Sequence, residues 1–200
     1  MTIRSLGLAL LLAGAFGISA KAQSSFTIDL YQDGSDVVGT GSGDIDLTGL
    51  SFITDLTAQA DELEPDGATI TLGTAPSAGT FYGGITGPGS FGSGDAEPDG
   101  TNGTGDLVAT SGGSILLLPQ GYVSGAPLSD SATWDNTTLA ALGVTPGTYT
   151  WTWDSGLNSF TLDIASPVPE PADYGWGVLL AALGFVAWRR FFSRSAVRAS

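Results

Sequence analysis

The segment between Lys21 and Arg189 contains no lysine, arginine or histidine. All 20 acidic residues of the chain lie inside it, from Asp29 to Asp173, so residues 23–173 carry a formal charge of −20. Side chains there cannot form a salt bridge, and the chain has no cysteine for a disulfide. Buried apolar surface or a bound metal ion must therefore stabilise whatever fold this segment adopts.

This composition also excludes classes of function. A segment with so much negative charge repels nucleic acid and anionic lipid surfaces, and it attracts cations. Without His, Cys, Lys or Arg, it cannot build a Ser-His-Asp triad, a Cys-His pair or a His-ligated metal site. Only a pair of carboxyl groups, as in glycoside hydrolysis, remains for catalysis, and no spacing singles out such a pair. We expect a protein that is not an enzyme.

Short stretches of alternating apolar and polar residues, separated by glycine-rich turns, predict an all-β fold. Their spacing favours a single β-sandwich or jelly-roll-like domain over residues 23–166. The clearest candidate strands are residues 26–31, 44–47, 68–72, 149–153 and 159–162. Shorter candidates are residues 36–38, 80–82, 107–109, 114–118 and 132–134. Helix is scarce: the best candidates are residues 52–63 and the turn around 137–142. A long flexible loop is predicted at 83–113.

The N-terminal 22 residues have the pattern of a removable export signal. Arg4 supplies a positive charge, residues 6–18 form an apolar core, and Ala20 and Ala22 give the small-x-small cleavage pattern. The apolar core is too short for a transmembrane helix. We expect Gln23 to be the first residue of the exported protein.

The C-terminal part combines a proline-rich segment, an apolar run and a basic end. Residues 174–188 carry no charge and predict a short transmembrane helix, with Arg189 and Arg190 where it stops. The positive-inside rule places residues 189–200 in the cytoplasm and the acidic segment across the membrane. Before the helix, residues 167–173 should be a stiff, exposed linker because its prolines disfavour helix. That linker contains four residues of interest: Val168, Pro169, Glu170 and Pro171.

The order of Pro-Glu-Pro, apolar helix and arginine cluster resembles the PEP-CTERM sorting signal of exported proteins in Gram-negative bacteria that make an extracellular polysaccharide matrix. The resemblance implies that an exosortase, a membrane-embedded cysteine enzyme, cuts near this motif after the export machinery has delivered the chain. The protein would then sit in the inner membrane before processing, and at the cell surface or in the matrix afterwards. An ordinary single-span anchor with a proline-rich linker is the alternative.

One acidic loop has the spacing of a calcium site. Asp95, Glu97, Asp99 and Asp106 occupy loop positions 1, 3, 5 and 12, and Gly100 occupies position 6, as in an EF-hand loop. Glycine-rich rather than helical flanks favour the alternative, a solvated turn. Calcium is the cofactor that this loop predicts, and no other cofactor is expected.

An aromatic row lies at alternate positions of one candidate strand: Tyr149, Trp151 and Trp153. If exposed, the row could stack on sugar rings. If buried, it forms part of the core, and the lack of disulfides favours burial. Exposure of the two tryptophans distinguishes these readings.

Taken together, the sequence predicts a non-enzymatic protein of the cell surface or exopolysaccharide matrix. Its expected partners are the exosortase and the export machinery, with extracellular polysaccharide as a further candidate and nucleic acid excluded. A membrane-anchored carbohydrate-binding module is one alternative, and a carboxylate-dependent glycosidase is another.

Overall fold

The computed structural model describes residues 23–58, 61–95 and 99–166. Its elements are twelve β-strands and one turn of 3₁₀ helix, Asp154–Gly156. In chain order the strands are β1 (Ser25–Asp33), β2 (Asp36–Asp44), β3 (Ser51–Ala58), β4 (Leu63–Glu64), β5 (Thr69–Leu72), β6 (Ser77–Gly83), β7 (Thr104–Gly105), β8 (Val108–Ser111), β9 (Ile115–Pro119), β10 (Pro127–Trp134), β11 (Gly147–Trp153) and β12 (Asn158–Ile164). The prediction of an all-β protein is confirmed.

The strands form two six-stranded sheets. Sheet I has the order β11-β12-β1-β2-β10-β7, and sheet II has the order β3-β6-β9-β8-β5-β4. Strand β1 pairs in parallel with β12, and the other paired strands are antiparallel. Buried side chains from both sheets belong to one main apolar cluster, an arrangement consistent with a β-sandwich.

Alternation along the central strands of sheet I fills this core. In β1, Phe26, Ile28 and Leu30 are buried, whereas the residues between them are not. The parallel register sets Phe26 opposite Phe160 of β12, and the two rings stack with centroids 5.7 Å apart. Sheet II contributes a matching set of buried side chains: Ile70, Leu72, Val108, Leu116 and Leu118. The core therefore arises from the period-two pattern that the sequence shows.

Glycines on the inner face of β2 let the two sheets approach closely. A Cβ atom added to Gly39 would lie 3.1 Å from Leu72 Cδ2 of sheet II and 3.5 Å from Trp134 Cζ3. Glycine usually weakens a strand, but here it makes room for two large side chains. The absence of a side chain at Gly39 thus leaves space for the side chains of Leu72 and Trp134.

The helix predicted at 52–63 is wrong. Strand β3 occupies most of that segment and pairs with β6 at the edge of sheet II, with an irregular register between Phe52 and Thr54. The apolar residues Phe52, Ile53 and Leu56 imitate helical spacing, yet all three are half or more exposed. Cross-strand pairing has overridden the local pattern.

Two further local predictions need correction. Residues 45–47, predicted as strand with Asp44, follow the end of β2 as irregular chain. The turn around 137–142, a candidate for helix, is a series of turns without a helix, in which the Leu142 amide donates to the Thr138 carbonyl at 3.0 Å. The remaining candidate strands overlap observed strands.

The glycine-rich segment 84–103 contains no strand in its described portion, as the loop prediction requires. It is nevertheless anchored to the rest of the protein. Isolated bridges join Thr86 to Thr152 and Gly92 to Val144, and Ile85 and Phe91 are buried in the core. The predicted loop ends earlier than expected, because β7 and β8 begin within it.

Replacing a core tryptophan should test the assignment of the two faces of β11. Trp151 is fully buried, whereas its neighbour Thr150 is exposed. We expect Trp151→Ala to lower the free energy of unfolding by roughly 3–5 kcal/mol, the usual range for deleting a buried aromatic side chain. Thr150→Ala should change it by less than about 1 kcal/mol. Denaturant unfolding of both variants measures the difference, and equal losses would contradict the assignment.

Candidate functional site

The predicted export and sorting signals lie outside the described residues. These are Ala20 and Ala22 of the signal cleavage site, the motif Val168, Pro169, Glu170 and Pro171, the apolar run 174–188, and Arg189 and Arg190. Gln23, the predicted first residue after cleavage, is the first residue described. Among helices in the described ranges, none has the length and apolar character needed to cross a bilayer.

The predicted calcium ligands are not brought together by any geometry that the structure describes. Glu97 lies outside the described residues, and Asp95 and Asp99 are exposed. Asp106 instead contacts β10, where its Oδ2 accepts a hydrogen bond from the Ser129 amide at 2.9 Å. Among the described residues, no group of three or more His, Cys, Asp or Glu side chains is placed to hold a metal ion. The calcium site stays a prediction, since one of its four ligands is not described.

The aromatic row belongs largely to the core. Trp151 and Trp153 are 0% and 3% exposed, and Tyr149 is half-buried. The Trp151 indole N–H donates to the Pro88 carbonyl at 3.1 Å, and the Trp153 indole N–H donates to the Asp46 carbonyl at 2.8 Å. Of the two alternatives for this row, burial in the core, which the sequence favours, is the one observed for Trp151 and Trp153, so these two rings are not available to stack on sugars.

A buried carboxyl group occupies the inner face of β10. Asp130 is 7% exposed and points into the core with Leu128 and Ala132, its alternate neighbours. Its carboxyl lies over Gly41 of β2, where a Cβ atom would overlap Oδ1 and would stand 2.7 Å from Phe26 Cζ. Neither carboxyl oxygen has a hydrogen-bond partner of normal geometry among the described residues. Asp130 is therefore a buried acid set against apolar neighbours.

A second buried acid, Asp61, lies just before β4. It is 3% exposed, and its Oδ1 has no hydrogen-bond partner among the residues described. Its main-chain carbonyl accepts a hydrogen bond from the Gly100 amide at 2.8 Å. Its Oδ2 packs against Gly103, where any side chain larger than hydrogen would overlap it. Glycine at 103 is required by this close approach.

Burial raises the pKa values of both acids. Desolvation raises the pKa of Asp130 to about 8, and the negative charges of Asp106 and Asp61 add to this effect. The Gly41 N–H acts in the opposite direction, but its position falls short of a hydrogen bond with normal geometry. Desolvation also raises the pKa of Asp61 to about 6. Asp130 is thus largely protonated at neutral pH, which avoids placing an unpaired charge in the core.

Sequence reasoning did not single out these two acids. For Asp130 a signal was present, because residues 127–134 alternate and place Asp130 in phase with Leu128, Ala132 and Trp134. A carboxyl group at an inward position of a strand, in a segment without bases, predicts a perturbed pKa. For Asp61 no comparable pattern exists, since burial comes from the distant glycine loop at 100–103.

The outer face of sheet II carries a pocket of about 390 Å³. Its lining comes from β3, β5, β6, β8 and β9, together with two residues from loops, Glu62 and Asp99. The strand residues that line it are Ala58, Thr69, Thr71, Phe81, Ala109, Thr110, Ser111, Ile115 and Leu117. An apolar floor, hydroxyl groups and carboxyl groups meet at this surface. It is the candidate binding site of the protein.

Comparisons with protein-family models, with curated proteins and with solved structures found no match. The candidate functions therefore depend on the residues and geometry described above.

The buried acids predict how stability depends on pH. The unfolded-state pKa of an aspartate is about 3.9, so the folded protein binds protons that the unfolded chain has released. This contribution to stability is fully present below about pH 4 and declines as pH rises through the folded pKa values of about 6 and about 8.

Asp130→Asn removes the charge while keeping the size of the side chain. At pH 8.5 we expect it to raise the free energy of unfolding by roughly 1–3 kcal/mol, because the asparagine amide is neutral at every pH and folding no longer carries the cost of burying or protonating a carboxylate. At pH 5 the gain should be much smaller, because Asp130 is then protonated. Asp29→Asn, on the exposed face of β1, removes the same charge and serves as the control. Thermal unfolding at both pH values measures these effects, and equal gains for both variants would contradict the assignment.

Proposed function

We propose that this chain is an exported protein of the cell surface or exopolysaccharide matrix in a Gram-negative bacterium, with a structural or adhesive rather than an enzymatic role. In this proposal residues 1–22 are a signal peptide, and 23–166 form a single β-sandwich domain. Residues 167–173 contain the sorting motif, 174–188 span the inner membrane, and 189–200 are a cytoplasmic tail. An exosortase cuts at or near Val168 to Pro171.

The position of the two processing points relative to sheet I supports this proposal. Strand β1 begins at Ser25, two residues after the expected new N-terminus, Gln23. Strand β12 ends at Ile164, and the Ala165 amide still donates to the Leu30 carbonyl at 2.9 Å. Because β1 and β12 are neighbours in the sheet, both cuts would leave the paired strands complete. The chain could therefore lose both ends and keep its core, as the release of a folded domain from the membrane requires.

The acid-only composition favours the same function. Residues 23–166 carry no base, so the released domain would not adhere to anionic membrane lipids after processing. Its solubility in the matrix would benefit from mutual repulsion between molecules. A plain membrane anchor would require none of these features.

Processing can be tested by mass spectrometry of surface material and of membranes from cells that make the chain. We expect a surface form that begins at Gln23 and ends near Pro171. Replacing Glu170 and both flanking prolines by alanine should abolish this form and leave the longer chain in the membrane. Asp173→Ala removes an acid just beyond the motif and should not block release. Recovery of only the uncut chain, in membranes, would support the single-span anchor instead.

A further inference from the structure

The outer face of sheet II is more apolar than a two-sheet fold requires. Antiparallel sheets of a sandwich bury their inner faces and commonly present polar residues outward. Here Leu107, Ala109 and Leu117 form a second buried cluster, separate from the main core, and Phe81 and Ala58 pack against it. The pocket of about 390 Å³ lies over part of this cluster. Its size falls within the range of about 300–1,000 Å³ that is typical of small-molecule sites.

Hydroxyl groups line the side of the pocket formed by β5 and β8. Thr69 and Ser111 bond to each other across the two strands, with their hydroxyl oxygens 3.1 Å apart. Thr71 also lines this side of the pocket and is only 5% exposed, but its hydroxyl is not among the fully buried side-chain atoms that lack a partner. A hydroxyl in the wall of a pocket can both donate a hydrogen bond to a polar group of a ligand and accept one from it.

The charges of the pocket restrict the ligand. Glu62 and Asp99 line it, and no base occurs anywhere in residues 23–166. Phosphate, sulfate and carboxylate groups therefore have no cationic partner here and face repulsion. A purely apolar ligand would form no hydrogen bond with the hydroxyl and carboxyl groups of the pocket. The remaining class of ligand has an apolar face, at least one group that can hydrogen-bond to a hydroxyl or a carboxyl group, and either no charge or a positive charge.

Pyranose sugars have this combination of properties, because a face of C–H groups is bordered by hydroxyl groups. We propose that the pocket binds a neutral or amino-bearing saccharide unit. The C–H face of the sugar packs on Phe81 and Leu117, a ring hydroxyl pairs with Thr71, and Glu62 and Asp99 receive further hydroxyl or amino groups. Only the source of the ligand, the surrounding polysaccharide, rests on the proposed function. The site itself is inferred from residues of sheet II.

This site lies elsewhere than the aromatic row of β11. Tyr149, Trp151 and Trp153 belong to sheet I, whereas Phe81 and Leu117 belong to sheet II and face away from the main core. The alternating pattern does not reveal this site in β9, because that strand is apolar on both faces: Leu116 and Leu118 belong to the main core, and Leu117 belongs to the outer cluster.

Binding can be measured with the full-length chain, purified in a detergent that has no sugar headgroup. The probes are cellotetraose as a neutral saccharide, the glucosamine tetramer as a cationic one, and the galacturonate tetramer as an anionic one. Methyl NMR follows the shifts of Ile115 and Leu117 as each probe is added. We expect saturable shifts with the neutral or the cationic probe, at millimolar concentration or below, and none with the anionic probe.

Thr71→Val keeps the shape of the side chain and removes only its hydroxyl. We expect it to weaken binding about threefold or more, as for the loss of one hydrogen bond, without unfolding the protein. Thr161→Val makes the same change on the outer face of sheet I and should bind like the parent chain. The probe should be recovered intact.

Four outcomes would overturn the proposal. The first is that neither the neutral nor the cationic probe causes shifts, and the second is that Thr71→Val and Thr161→Val bind equally well. The third is that the anionic probe binds as well as the others. The fourth is that the shifts depend on protein concentration rather than on saccharide concentration. The last outcome would assign the pocket to contact with a second copy. Cleavage of a probe would overturn the non-enzymatic role. None of these results depends on whether the tail is processed, so failure of the two proposals can be told apart.

Discussion

The apolar contact between the two sheets is the interaction on which the rest of this structure depends. Residues 23–166 have neither disulfides nor bases, so ion pairs between side chains cannot stabilise the fold. Large side chains such as Trp134, Trp151 and Phe160 compensate by filling the interior. Each fully buried side chain of this kind contributes on the order of 2–3 kcal/mol through the hydrophobic effect. Close approach of the sheets, which Gly39 permits, makes that burial complete.

The same lack of bases determines the protonation state of the two buried acids, Asp130 and Asp61. In most proteins a buried carboxylate is paired with a cation or with several N–H donors. Asp130 and Asp61 have no basic side chain available, and three of their four carboxyl oxygens have no hydrogen-bond partner in the described part of the chain. Binding a proton is then the available way to lower the cost of burial. Glycines at 41 and 103 provide the space that these carboxyl groups occupy.

Much of the fold could be predicted from alternation, and the exceptions have physical causes. The buried positions of β1 and β12 follow the period-two pattern directly, as Phe26 and Leu162 show. The sequence of β3 resembles that of a helix, because an edge strand with exposed apolar residues does not alternate between an inner and an outer face. The pocket on sheet II and the burial of Asp61 depend on strands and loops that are distant in sequence, so no local pattern contains them. The burial of Asp130 could have been predicted from the sequence, because its position in the alternating pattern of β10 places its side chain on the inner face.

Burial keeps the Asp130 carboxyl protonated near neutral pH, inside a domain without bases. Carboxyl-carbon NMR of the full-length chain, labelled at aspartate and titrated from pH 3 to pH 10, tests it most directly. We expect Asp130 to titrate with a midpoint near 8 and Asp61 with a midpoint near 6. Midpoints near the ordinary aspartate value of about 3.9 for both residues, in a protein that remains folded, would contradict it.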